Sequence, residues 1–210
     1  MHVCVHFVCM SVCVLCTGTY MLQSLAGKPC IKATMGAEYI VIEKKKTWYF
    51  NLDPSRVRTS GYCGKESALL SVTLILGFLN QSLYFCPQEN NVSYVTKLSA
   101  RVSPLPVYKT YSGLLDHYKL FTTANGQSFK CKSDSLLLMS SELRIKLVHL
   151  QMQAFTLPNG QYGEEVECWA DFNKRVVPIV IGATVVGFIL ITVLTLLFIK
   201  DRRSQGYDRL

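Results

Sequence analysis

Glu164, Glu165 and Glu167 stand close together just before Cys168, and paired carboxylates are what glycoside hydrolysis uses. Adjacent residues on a strand point to opposite faces, so Glu164 and Glu165 could not act together there. Glu165 and Glu167 share a face, but no second acidic cluster answers them in the sequence; the group reads as a charged turn. His149 lies in an apolar alternating run, the setting of a core or edge histidine rather than of a catalytic base. The sequence contains no Gly-x-Ser-x-Gly elbow, no glycine loop that would cradle phosphate and no His-Glu-x-x-His. The expectation is a protein without catalysis and without a cofactor.

Cysteine carries the remaining reactive chemistry. The chain has nine. Cys4, Cys9, Cys13 and Cys16 fall in an apolar leader and would leave with it, which makes the Cys13-x-x-Cys16 redox match a decoy. Cys30, Cys63, Cys86, Cys131 and Cys168 remain, and in an oxidising compartment they should pair with one left over. Beyond the leader the histidines are His117 and His149, too few and too far apart for a Cys/His metal site. Cys30–Cys63 would close a loop similar in length to that of Cys131–Cys168 and would orphan Cys86. The rival, Cys30–Cys86 with Trp48 between and Tyr84 just before the second cysteine, would imitate an immunoglobulin sandwich. Trp48 stands rather far from Cys30 for that pattern, and Asn80-Gln81-Ser82-Leu83 lacks the usual turn signature, so the first pairing is preferred.

The two ends of the chain set its topology. Val3 to Cys16 has the length of a signal-peptide apolar region, with cleavage expected after Gly18 or Thr19. Val176 to Ile199 contains no charged residue and is long enough to span a bilayer; Lys200-Asp201-Arg202-Arg203 closes it. Pro178 is expected in the first turn of that span, where its missing N–H costs little. The organisation follows: a signal peptide over 1–19, a short linker over 20–29, a luminal domain over 30–172, a transmembrane helix over 176–199 and a cytosolic tail over 200–210. Ala183 and Gly187 are four apart and would let two copies of the helix approach, so a homo-oligomer is an open alternative to an isolated pair of small residues. The tail holds Gly206-Tyr207-Asp208-Arg209-Leu210. A Tyr-x-x-apolar tetrapeptide near a membrane span is a sorting address. The medium subunits of clathrin adaptors bind such peptides extended, with one pocket for the Tyr207 ring and one for Leu210, while Gly206 leaves the approach uncrowded. The competing expectation is a cell-surface immune or adhesion receptor with an immunoglobulin-like domain and an endocytic tail.

The formal net charge is +8, with basic residues scattered apart from Lys44-Lys45-Lys46. That run abuts Trp48-Tyr49-Phe50, yet a solvated turn between strands explains it better than nucleic acid, an improbable partner outside the cytosol.

Between the ends, periodicity argues for β structure. Leu143-x-Ile145-x-Leu147 alternates, then the phase slips and Val148-x-Leu150-x-Met152-x-Ala154 continues, which predicts a bulge. Ala68 to Leu79 is too short to span and reads as a buried central strand. Tyr94-x-Thr96-x-Leu98-x-Ala100-x-Val102 predicts a half-buried strand, and Ser112 to Lys119 a short helix. Asn80-Gln81-Ser82 and Asn91-Val92-Ser93 are N-glycosylation sequons, each expected on an exposed loop.

These motifs resemble the lysosome-associated membrane glycoprotein family, in particular its single-domain members. The resemblance begins at Cys30-Ile31-x-Ala33-x-Met35-Gly36 and continues through Leu52-Asp53-Pro54 and Gly61-x-Cys63-Gly64. It is strongest from Gly126-Gln127-Ser128-Phe129-Lys130-Cys131 to Gln151-x-Gln153-Ala154-Phe155. It then runs through Gln161-Tyr162-Gly163, Glu167-Cys168-x-x-Asp171 and Val177-Pro178-Ile179-Val180-Ile181-Gly182 into the Gly-Tyr-x-x-apolar tail. It implies a mainly β, two-sheet, β-prism-like luminal domain, the cystines Cys30–Cys63 and Cys131–Cys168, and one transmembrane helix. It also implies residence in lysosomal and late endosomal membranes, with transit through the cell surface. Two departures stand out: about ten residues separate the expected leader from Cys30, where relatives carry a long Ser/Thr/Pro-rich stalk, and Cys86 has no partner in the family scheme.

Overall fold

The computed structural model describes residues 16–44, 46–74, 79–88, 91–104 and 109–207. They form two compact units, one ending at Cys168 and one beginning at Trp169. In the first, chain order gives β1 (Gly18–Gln23), β2 (Pro29–Glu43), β3 (Lys46–Asn51), β4 (Val57–Cys63), β5 (Ala68–Leu74), β6 (Leu79–Gln88) and β7 (Val92–Val102). There follow β8 (Tyr111–Leu115), β9 (Leu120–Ala124), β10 (Ser128–Cys131), β11 (Ser135–Leu138), β12 (Leu143–Ala154) and β13 (Glu165–Glu167). The second unit is the helix α1 (Trp169–Tyr207).

Two sheets share the strands, the mainly β arrangement expected. In one, β2 and β12 form the antiparallel spine, β1 and β3 extend the free side of β2, and β10 and β11 extend that of β12, with β13 parallel to β10. The other runs β4-β5-β6-β7-β8, with β9 also on β7. Inward-facing side chains of both sheets merge into one apolar cluster, with Ile31, Met35, Val41, Ile145 and Leu147 from the first and Leu70, Val72, Leu83, Leu98 and Val102 from the second. Alternation is what allows this: Ala68, Leu70, Val72 and Leu74 are buried while Leu69, Ser71 and Thr73 face outward.

The predicted bulge in β12 is present. Register against β2 shifts between Val148 and Gln151, and His149 takes a positive φ of 50° with its side chain exposed. The facing β2 residue is Gly36, where a Cβ would come within 2.7 Å of the Val148 side chain and 3.1 Å of the Cys16 carbonyl. Glycine at 36 is therefore set by close approach from two sides.

Other expectations are corrected. Residues 20–23, expected as linker, belong to β1, whose Thr19 pairs with Thr34 across to β2. The apolar run Ala68 to Leu79 is divided, β5 ending at Leu74 and β6 starting at Leu79. In β7 the buried positions are Ser93 and Val95, then Leu98, Ala100 and Val102; register shifts beside Val95 against both β6 and β9 put Tyr94 and Thr96 off the inward face. The expected helix at 112–119 is instead largely β8: Tyr111 to Leu115 pair with Val102 to Leu98, and ladder pairing along a core strand outweighs a weak local helical preference. Lys44 lies in the turn before β3, as expected of the basic run.

The helix α1 starts at Trp169, seven residues before the expected span, so Pro178 lies in its interior rather than its first turn. Residues Trp169–Lys200 are long and apolar enough to cross a membrane. Within that stretch three hydroxyls are satisfied by the helix itself: Thr184 donates to the Ile181 carbonyl at 2.7 Å, Thr192 to Phe188 at 2.8 Å and Thr195 to Thr192 at 2.8 Å. Such back-bonding is how polar side chains are accommodated where water is absent.

Candidate functional site

Two cystines brace the β unit. Cys30, at the start of β2, is bonded to Cys63, at the end of β4, so this bridge ties one sheet to the other with a Cα–Cα distance of 6.3 Å. Cys131, ending β10, is bonded to Cys168 with a Cα–Cα distance of 5.1 Å, and the Cys168 N–H donates to the Lys130 carbonyl at 2.9 Å. The bridge thus pins the segment that follows β13 to the strand it accompanies. Cys86 is a free, half-buried thiol on β6, 3.8 Å from the Thr96 hydroxyl. The immunoglobulin-type bridge Cys30–Cys86 is not formed, and with it goes the main support for that architecture.

Polar contacts also join the sheets. The buried Tyr39 hydroxyl on β2 donates to the side-chain oxygen of Gln81 on β6. Burial is the main reason the Tyr39 hydroxyl is pushed far above its ordinary pKa, so it remains a donor at any physiological pH. Near the outside, Lys109 donates to Glu43 at 3.0 Å and to Glu142 at 2.8 Å, and the Tyr111 hydroxyl donates to Glu43 at 3.2 Å. None of these tertiary pairs has a local sequence signal.

The Lys109 hydrogen bond is the largest influence holding the Glu43 carboxyl below its usual value, partly opposed by desolvation. Hydrogen bonds from Lys130 and, less strongly, Gln151 do the same for Glu165, and those from Ser55 for Asp53. A carboxyl whose pKa is lower folded than unfolded stabilises the fold above its unfolded value, and that stability is lost as pH falls through the folded value. The melting temperature should therefore hold steady from neutral pH down to about 5 and fall below the ordinary glutamate value of 4.5. Thermal melts across this range will check it; Lys109→Met should flatten the acid limb, and an identical limb in that variant would remove the Lys109 cluster from the account.

The sequons differ in setting. Asn91 is exposed in the turn between β6 and β7, with a φ of 60°. Asn80 is not on a loop: it sits half-buried on the outer face of β6, where its Nδ2 donates to Thr73 Oγ1 at 3.1 Å and its Oδ1 accepts from Ser82 Oγ at 3.2 Å. Sequons reveal an acceptor triplet, not the strand that carries it. Glu165 and Glu167 lie on the short strand β13, and Glu165 is engaged by Lys130 and Gln151, consistent with a charged structural segment. Backbone helix continues through Gly206 and Tyr207, while Leu210 lies outside the described residues.

The family model for the luminal domains of lysosome-associated membrane glycoprotein 2-like proteins matches residues 14–169, nearly the whole braced unit. The chain belongs to the lysosome-associated membrane glycoprotein family. It is 33% identical to human lysosome-associated membrane glycoprotein 3 over 92% of its own length and 46% of that protein, and 32% identical to the mouse protein over the same shares. The chain thus spans about half the length of the curated relatives it matches. The crystal structure of human LAMP-3 superposes with a TM-score of 0.68 at 30% identity, covering 73% of this chain and 99% of that one. The membrane-proximal domain of mouse LAMP-1, at 21% identity and a TM-score of 0.67, shares the fold, covering 75% of this chain and 99% of that domain. As a member of this family the chain is a lysosomal membrane glycoprotein. Among the described residues it has one helix able to span the bilayer.

Proposed function

We propose that this lysosome-associated membrane glycoprotein is a non-catalytic type I protein of lysosomal and late endosomal membranes, delivered there, with transit through the cell surface, by clathrin adaptors. The observation that carries the reading is the Gly206-Tyr207-Asp208-Arg209-Leu210 sequence placed just beyond the apolar span of a family member. Tyr207 offers a ring to bury and a hydroxyl to hydrogen-bond; Leu210 adds apolar burial of about 2 kcal/mol. The adaptor peptide must be extended, so binding would unwind the helical backbone at Gly206 and Tyr207, and glycine makes that unwinding cheaper. The leader, luminal domain, span and tail form the matching type I order. Asn91, and Asn80 on its outward strand face, would carry glycans. The luminal unit's work is persistence among hydrolases, to which its two sheets and cystines are suited.

The test is steady-state localisation of a luminally tagged full-length chain beside its Tyr207→Ala variant. The wild type should occupy acidic, hydrolase-positive vesicles and the variant should accumulate at the cell surface. Unchanged lysosomal residence of the variant would count against the tail motif.

A further inference from the structure

The Cys30–Cys63 bridge borders a cavity of about 930 Å³ at one end of the luminal unit, a volume within the range of sites for small organic ligands. Its walls include Pro29, Ala68, Phe155 and Leu157 beside the cystine. Lys28 and Lys65 also line it, and no carboxylate does. Neither lysine side chain enters an ion pair or hydrogen bond among the described residues, unlike Lys109, Lys130 and Lys146, which are all matched with acids. Two unmatched ammonium groups over an apolar floor complement a doubly charged anion attached to a hydrocarbon.

Two further features point to the same place. Phe155 and Asn159 both line the cavity and both hold positive φ angles, 67° and 51°, which non-glycine residues adopt at a cost and which gather where ligands are clamped. Phe155 is held there by its N–H donating to the Cys30 carbonyl at 2.7 Å, so this wall is fixed to the cystine. The turn joining β1 to β2 closes through Gly27 N–H to the Ser24 carbonyl and Ser24 N–H to the Lys28 carbonyl. Ser24 and Lys28 from this turn both line the cavity.

We propose that this cavity binds a single-chain phosphate monoester amphiphile. The phosphate would lie between Lys28 and Lys65 and the alkyl chain against Pro29, Phe155 and Leu157. Phosphate is preferred over a carboxylate because it presents three acceptor oxygens to two ammonium groups and, above its second pKa of about 6, a second negative charge. The site is independent of the tail and of how the protein is sorted.

The test is calorimetric titration of octyl phosphate into the full chain held in neutral phosphatidylcholine nanodiscs, with empty discs subtracted. Saturable binding at one site per chain is expected, with octyl glucoside and inorganic phosphate each binding at least about tenfold more weakly. The double variant Lys28→Gln/Lys65→Gln should weaken octyl phosphate by about tenfold or more without moving the melting temperature, and Lys28→Arg/Lys65→Arg should keep most of the affinity. Equal binding of octyl glucoside would overturn the role of charge, equal binding of inorganic phosphate would overturn the role of the chain, and unaltered affinity in the glutamine variant would place any site elsewhere. Absence of saturable binding above empty discs would end the proposal.

Discussion

Replacing Cys30 and Cys63 together by serine should lower the stability of the luminal unit by about 4 kcal/mol, and its melting temperature by roughly 8–16 °C. The estimate follows from the sequence separation of 33 that the bridge closes, since releasing it returns loop entropy to the unfolded chain. Position makes the loss severe. The bridge joins β2 of one sheet to β4 of the other, and Cys30 is buried, so the replacement also puts a hydroxyl among apolar neighbours. Both cysteines must be changed at once, because a single replacement leaves a free thiol whose thiolate can attack the Cys131–Cys168 disulfide and exchange with it. The same variant should be cut faster by an acid protease at a pH where the wild type persists, as local opening between the sheets becomes more populated. Equal melting temperatures and equal digestion rates would show that the core alone holds the sheets together.

How much of this could be read beforehand depended on whether the cause was local. The slip of phase at Val148 was visible because buried residues on both sides of it are aliphatic, so the bulge wrote itself into the pattern. The shift beside Val95 was not visible: Ser93, Tyr94 and Thr96 are all tolerated on either face, and an alternation that looked regular from Tyr94 to Val102 concealed it. The strand β8 was missed for a related reason, since its identity comes from its partner β7 and not from its own residues. Strand β1 likewise takes its identity from its pairing with β2, which its own short run of residues does not announce. Contacts such as Tyr39 with Gln81 are brought together only by the fold, and one sequence carries no sign of them.

The candidate site divides in the same way. The cystines were legible because cysteine spacing is a property of sequence. The cavity beside Cys30–Cys63 was not, because Lys28, Lys65 and Phe155 come from three distant segments and look like ordinary surface residues in each. The resemblance that named Gly61-x-Cys63-Gly64 did locate one wall of that region, without giving a reason for its glycine.

The structure supplies the reason, and it leads to the other large effect. Gly61 lies on β4 with a φ of 150°, opposite Leu70, and a Cβ there would be driven into the Leu69 carbonyl oxygen. Leu69 cannot withdraw freely, because β5 is paired with β4 on one side and β6 on the other. The Leu22 side chain closes a further side at 3.1 Å. Alanine at 61 must either strain the backbone or part the β4 ladder two residues from Cys63. Gly61→Ala should therefore destabilise the luminal unit by about 2–4 kcal/mol and lower its melting temperature by roughly 5–15 °C. The neighbouring Ser60→Ala is the control: Ser60 is exposed, and its loss should change stability by no more than about 0.5 kcal/mol. If the two variants melt together, β4 relaxes around a methyl group without cost, and glycine at 61 owes nothing to the approach of Leu69. If they separate as expected, the strand that carries Cys63 to its bridge depends on a residue with no side chain.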